Sequence, residues 1–128
     1  MNGRYLFDTN TIIYYLQGRS EWVDFIDGTT MTERYASAIT RMELLSFPGI
    51  QLDEENRIHR FLSDLKVVPL DDDIERMAVT VRRATRLKLP DAIIAATAIT
   101  MGATLITGED RLSELVWPDL KTVKPAQV

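Results

Sequence analysis

The sequence predicts an α/β fold, a single domain built on a central parallel sheet flanked by helices. Three observations carry this. Short apolar runs alternate with longer amphipathic segments along the whole chain, no two of the short runs are joined by a tight turn, and 128 residues suit one compact domain spanning positions 1–128. Strands joined through helices run parallel with right-handed crossovers, which places helices on both faces of the sheet. No internal repeat, linker or low-complexity tract interrupts the alternation.

The first strand is Tyr5-Leu6-Phe7, because adjacent apolar residues suit a strand covered on both sides. It delivers Asp8 to the rim of the sheet, and Thr9, Asn10 or Thr11 can cap the helix that follows. Ile12, Ile13 and Leu16 are that helix's apolar positions, and Gly18 stops it. Trp22, Phe25 and Ile26 recur at helical spacing up to Gly28 and read as a core stripe. Tyr35 to Ile39 is the second strand, Thr40 to Glu43 starts the next helix, and Pro48-Gly49 ends it. An amphipathic helix runs from Asp53 to Leu65. Val67 to Leu70 is the third strand, with Pro69 marking an edge or the strand's end. Asp71-Asp72-Asp73 is the acidic start of a helix that turns Ile74, Met77, Ala78 and Val81 inward. Leu89-Pro90-Asp91 opens another, whose body from Ala92 to Ile99 is apolar nearly all round and belongs deep in the core; Gly102 ends it. Ala103 to Ile106 is the fourth strand, a short helix spans Leu112 to Leu115, and Thr122-Val123 adds a last short strand.

Composition narrows the chemistry. With 45% hydrophobic and 27% charged residues, disordered and fibrous classes drop out. No apolar run spans a bilayer and no secretory signal precedes Tyr5, so a cytoplasmic protein without a membrane segment is expected. The absence of cysteine fits a reducing compartment and excludes disulfides, thiolate metal sites and cysteine nucleophiles. The one histidine, His59, falls in a helix among Arg57, Arg60 and Asp64, where a solvated position is expected. Carboxylates must then carry any chemistry. A net charge of −4 argues against nucleic-acid binding, yet two divalent cations would cancel it and leave basic patches free to act locally.

Four acids stand out by position. Asp8 and Glu109, with Asp110 beside it, directly follow buried strands; Glu43 lies one helical turn beyond the second strand, and Asp91 sits in the first turn of the apolar helix. In a parallel sheet these places face one edge, the edge where ligands bind. Converging carboxylates resist joint ionisation unless cations neutralise them, and hard Mg2+ or Mn2+ prefers such oxygen ligands. Metal-assisted phosphodiester cleavage uses this kind of site. Each acid also has a structural account. Asp8 can cap a helix, Glu43 completes a Thr40-x-x-Glu43 capping box, Asp91 favours a helix dipole, and Glu109 and Asp110 can be solvated turn residues. Their shared rim position is what favours a site.

These stretches resemble the motifs of PIN domains. Tyr5 to Asn10 is similar to the opening motif, Ala38 to Leu44 to the second, Leu89 to Ala98 closely to the third, and Leu105 to Leu112 to the fourth. They fall in order across nearly the whole chain, and its size is similar to VapC-type toxins. The resemblance implies a Mg2+- or Mn2+-dependent ribonuclease, the toxin half of a bacterial toxin–antitoxin pair, acting on RNA, held by a small antitoxin and forming a homodimer. It carries metal binding and catalysis to Asp8, Glu43 and Asp91. The fourth motif departs from the family: Glu109 stands where Asp or Asn is usual, so Glu109 is the expected fourth ligand with Asp110 as the alternative. Asn10 and Thr107 are the supporting polar residues. Arg82, Arg83, Arg86 and Lys88, clustered before Asp91, and Arg111 after the fourth motif are candidate RNA-phosphate contacts. Rival readings are a phosphoryl-accepting domain, either an aspartyl-phosphate phosphatase or a receiver, and an inactive binding module. The first wants a second acid where Asn10 stands, and the receiver wants an acceptor aspartate where Thr40 follows its strand.

Overall fold

The computed structural model describes residues 3–126. Its elements are β1 (Arg4–Phe7), α1 (Thr9–Leu16), α2 (Ser20–Gly28), β2 (Glu33–Ser37), α3 (Ala38–Leu45), α4 (Leu52–Ser63), β3 (Lys66–Val68), α5 (Asp72–Ala84), α6 (Leu89–Met101), β4 (Thr104–Ile106), α7 (Asp110–Ser113) and β5 (Lys121–Val123). The five strands pair in the order β3-β2-β1-β4-β5, all parallel, which bears out the α/β prediction.

Alternation along the strands divides the core in two. Leu6, Tyr35 and Leu105 point to the face covered by α5 and α6. Tyr5, Phe7, Ala36 and Ile106 point to the other, against Ile12 of α1, Trp22 and Ile26 of α2 and Ile58 and Leu62 of α4. β1 is central, and both Leu6 and Phe7 are fully buried. Each such side chain stabilises the fold by about 1.5–3 kcal/mol through burial. In α6 every residue from Ala92 to Ala98 is buried, as its apolar composition requires. Gly102 closes that helix in the left-handed region at φ 60°, where glycine carries no Cβ penalty.

Local chemistry moves several boundaries. The cap of α1 is Asp8 itself, whose Oδ1 accepts the Thr11 N–H at 2.8 Å, rather than Thr9, Asn10 or Thr11. β2 ends at Ser37, two residues before the expected Ile39, and the Ser37 hydroxyl caps α3 by accepting the Ile39 N–H at 3.2 Å. Thr40 therefore lies inside α3, and the Thr40–Glu43 capping box does not form. β3 is an edge strand that stops at Val68, so Pro69 marks both an edge and an end. Asp71 caps α5 through the Ile74 N–H at 2.9 Å, as its acidic start suggested. α7 starts at Asp110, two residues ahead of Leu112. No helix among the described residues is long and apolar enough to cross a membrane.

Candidate active site

The carboxyl ends of β1, β2 and β4 open onto a crevice of about 120 Å3 lined by Asp8, Thr9, Asn10, Glu43, Asp91, Ile94, Glu109 and Arg111. The four acids expected from the sequence thus meet at one place, delivered by four elements. The ends of β1 and β4 are tied together, since the Asp8 N–H continues the ladder to the Ile106 carbonyl and the buried Thr11 hydroxyl donates to that same oxygen at 2.8 Å.

Asp8 is the deepest of the four at 2% exposure. Its Oδ1 serves as the helix cap, while Oδ2 is buried and has no hydrogen-bond partner among the described residues. An unsatisfied buried carboxylate oxygen is costly and rare. Burial raises its pKa; nearby Thr107 and the Thr11 contacts oppose that, and the charge of Glu109 adds to it. The Thr107 hydroxyl eases the field without completing a hydrogen bond to Oδ2.

Glu43 sits well inside α3 and is half-buried, with Oε1 2.6 Å from the Thr9 hydroxyl. With no capping box to serve, its inward placement has no local structural explanation. Asp91, in the first turn of α6, pairs through Oδ2 with Arg111 Nε at 2.7 Å. Glu109 accepts a hydrogen bond from the Asn10 amide at Oε1, and its Oε2 lies 3.7 Å from the Arg111 guanidinium. Its own N–H donates to the buried Thr107 hydroxyl at 3.0 Å. Asp110, by contrast, is exposed and pairs with Lys124 at 2.9 Å, away from the crevice lining. The turn carrying Glu109 depends on Gly108: a Cβ there would lie 2.9 Å from the Trp22 ring, so only glycine lets this turn pack against α2.

Arg111 points into the acidic crevice, as a counter-charge to Asp91 and Glu109. Arg82, Arg83, Arg86 and Lys88 are exposed and do not line it. His59 is also exposed, 3.9 Å from Glu55. Thr9 and Thr40, which sequence reading treated only as helix-start residues, belong to the crevice wall and to its support. Their signal was weak because it depends on where β2 stops. A larger groove of about 390 Å3, lined by Ile13, Leu44, Phe47, Ile50 and Ile58 among others, lies elsewhere. Its walls are largely apolar with a single carboxylate, Glu54, so it lacks the cluster of acids that lines the smaller crevice.

A five-stranded parallel sheet with four carboxylates at its carboxyl edge makes this an α/β domain with an acidic crevice at the end of its strands. The chain matches the PIN domain family model over residues 5–118, and it belongs to that family, whose members are nucleases. It is similar to a toxin–antitoxin complex from Klebsiella pneumoniae at 31% identity, over 97% of this chain and 99% of that one, with a TM-score of 0.82. VapBC2 from Rickettsia felis, bound to a DNA fragment from their promoter, matches at 19% identity over 94% and 97% of the two chains, with a TM-score of 0.80. DNA-bound VapBC from Salmonella typhimurium matches at 22% identity over 96% and 98%, also with a TM-score of 0.80. These last two likenesses concern the fold. No curated protein sequence gives a significant match.

Proposed function

We propose that this chain is a Mg2+- or Mn2+-dependent endoribonuclease, the toxin of a toxin–antitoxin pair, acting on RNA in the cytoplasm. The observation that carries this is the buried, unpartnered Oδ2 of Asp8 in a crevice shared with Glu43, Asp91 and Glu109. A cation would complete that oxygen, and an all-carboxylate donor set suits a hard divalent ion. Among the described residues no three acids stand close enough together to hold one ion as they are placed, so binding requires their side chains to close up and Arg111 to withdraw. A bound ion would activate water and offset charge developing on the phosphate.

The protein's own groups divide the remaining work. Asp8, Glu43, Asp91 and Glu109 hold the cation, and the Asn10 amide and Thr107 hydroxyl orient the Glu109 arm. Arg82, Arg83 and Arg86 contribute phosphate contacts outside the crevice, and Arg111 contributes one on leaving Asp91. The substrate is an RNA presenting a single-stranded loop, whose bases are open to contact. The rival phosphoryl-acceptor reading lacks its second acid, since the residue in that place, Asn10, is an amide engaged with Glu109.

A small antitoxin partner is supported by the similar toxin–antitoxin complex. An arginine fork suits paired carboxylates, as Arg111 already illustrates within the chain. The apolar groove, with Phe47 exposed on its edge, offers such a partner surface to bury. A homodimer completes the assembly.

The test is cleavage of a structured RNA by the purified chain with and without Mn2+. Cleavage only with metal is expected, and expression of the chain alone should slow bacterial growth unless Asp8→Asn is present. No metal-dependent cleavage, or equal toxicity of parent and variant, rejects the reading. For the fourth ligand, Glu109→Gln should lower Mn2+-dependent activity far more than Asp110→Asn, whose carboxylate is occupied by Lys124. The reverse ranking would put the ligand on the other residue.

A further inference from the structure

The position of Glu43 in α3 leaves its orientation to contacts from outside that helix turn. Thr9, the first residue of α1 and 34 positions away, places its hydroxyl 2.6 Å from Glu43 Oε1 and 3.1 Å from the hydroxyl of Thr40. Thr40 is fully buried. A hydroxyl has one proton, and an ionised carboxylate only accepts. The shorter contact is the one to the carboxylate, so Thr9 donates to Glu43 and accepts from Thr40. The result is a directed chain, Thr40 O–H to Thr9 O–H to Glu43, in which a buried residue anchors a half-buried one.

We propose that Thr9 and Thr40 are positioning residues for Glu43, holding Oε1 so that Oε2 is presented to a divalent cation. This rests on the reading of the crevice as a metal site. A glutamate has several freely rotating bonds, and an unheld Glu43 would have to be ordered at each binding event. The Thr9 contact supplies that order beforehand and joins the helices that follow the adjacent strands β1 and β2. Partners that orient a ligand typically matter about 10–100-fold in metal affinity.

The test is calorimetric titration of the purified protein with Mn2+. Thr9→Val, which keeps the volume and removes the donor, should weaken Mn2+ binding about tenfold or more. Thr9→Ser restores the hydroxyl and should bind close to the parent, and Thr40→Val should show a smaller loss than Thr9→Val. In a Glu43→Gln background Thr9→Val should add little, because the two act through one ligand. Thermal melting of the metal-free variants checks folding; if Thr9→Val melts far below the parent, Thr9→Ala makes the same comparison. Parental Mn2+ affinity in Thr9→Val, or an undiminished loss in the Glu43→Gln background, overturns the positioning role. A parent that binds no Mn2+ overturns the metal-site reading itself, a result distinct from either.

Discussion

Asp8→Asn and Asp91→Asn should each abolish metal-dependent RNA cleavage while leaving the protein folded. Each removes one anionic ligand from a site whose cation supplies several kcal/mol of charge stabilisation in the transition state. At 1.36 kcal/mol per tenfold in rate, the loss is on the order of a thousandfold. The fold should survive for reasons specific to each position. Asparagine is as good a helix cap as aspartate, so residue 8 can still accept the Thr11 N–H. At residue 91 the change breaks the pair with Arg111, which is half-exposed, so less than about 1 kcal/mol is at stake. Glu43→Gln belongs to the same set: because α3 is capped by Ser37, activity should fall without loss of helix stability. Cleavage assays paired with circular dichroism decide the matter. Near-parental cleavage by a folded Asp8 or Asp91 variant would remove that residue from the site.

Mn2+ should raise the melting temperature of the parent at neutral pH and leave that of Asp8→Asn almost unchanged. Binding to the folded state alone stabilises it by about 2.7 kcal/mol at a hundredfold excess over the dissociation constant. For a domain of this size that is a shift on the order of 10 °C. Without metal the order of the two proteins should reverse. Burial raises the pKa of Asp8 in the folded state, so its stabilising contribution is complete below the unfolded carboxylate's pKa and is lost as pH rises through the folded value. Asp8→Asn removes this dependence, so the metal-free variant should melt above the parent at neutral pH and lose that advantage in acid. Arg111 softens the effect by neutralising part of the cluster. Melting at constant ionic strength, with and without Mn2+ and across pH, separates this from general screening. Equal shifts in both proteins, or none in either, would falsify the assignment of Asp8 to a metal site.

The order of elements was legible because it depends on periodicity and burial, which are local. The apolar run Tyr5 to Phe7, the all-round apolar body of α6 and the acidic start of α5 each describe their own surroundings. The gathering of Asp8, Glu43, Asp91 and Glu109 was legible too, because a parallel sheet sends every strand end to the same edge.

What the local sequence left open was decided by pairing and by side-chain direction. Ala38-Ile39 suits a strand as well as a helix; the Ser37 hydroxyl and the pairing of Phe7 with Ala36 end β2 earlier. That two-residue difference removed the capping box and brought Thr9 against Glu43. Which of Glu109 and Asp110 faces the crevice depends on contacts with Asn10, 99 positions from Glu109, and with Lys124. The sequence offers Arg111 as an RNA-phosphate contact, and only the approach of α7 to the start of α6 turns it onto Asp91. Hydrophobic pattern records whether a residue is inside or outside. Which neighbour a polar side chain meets depends on segments far away in the chain, and no local pattern encodes it.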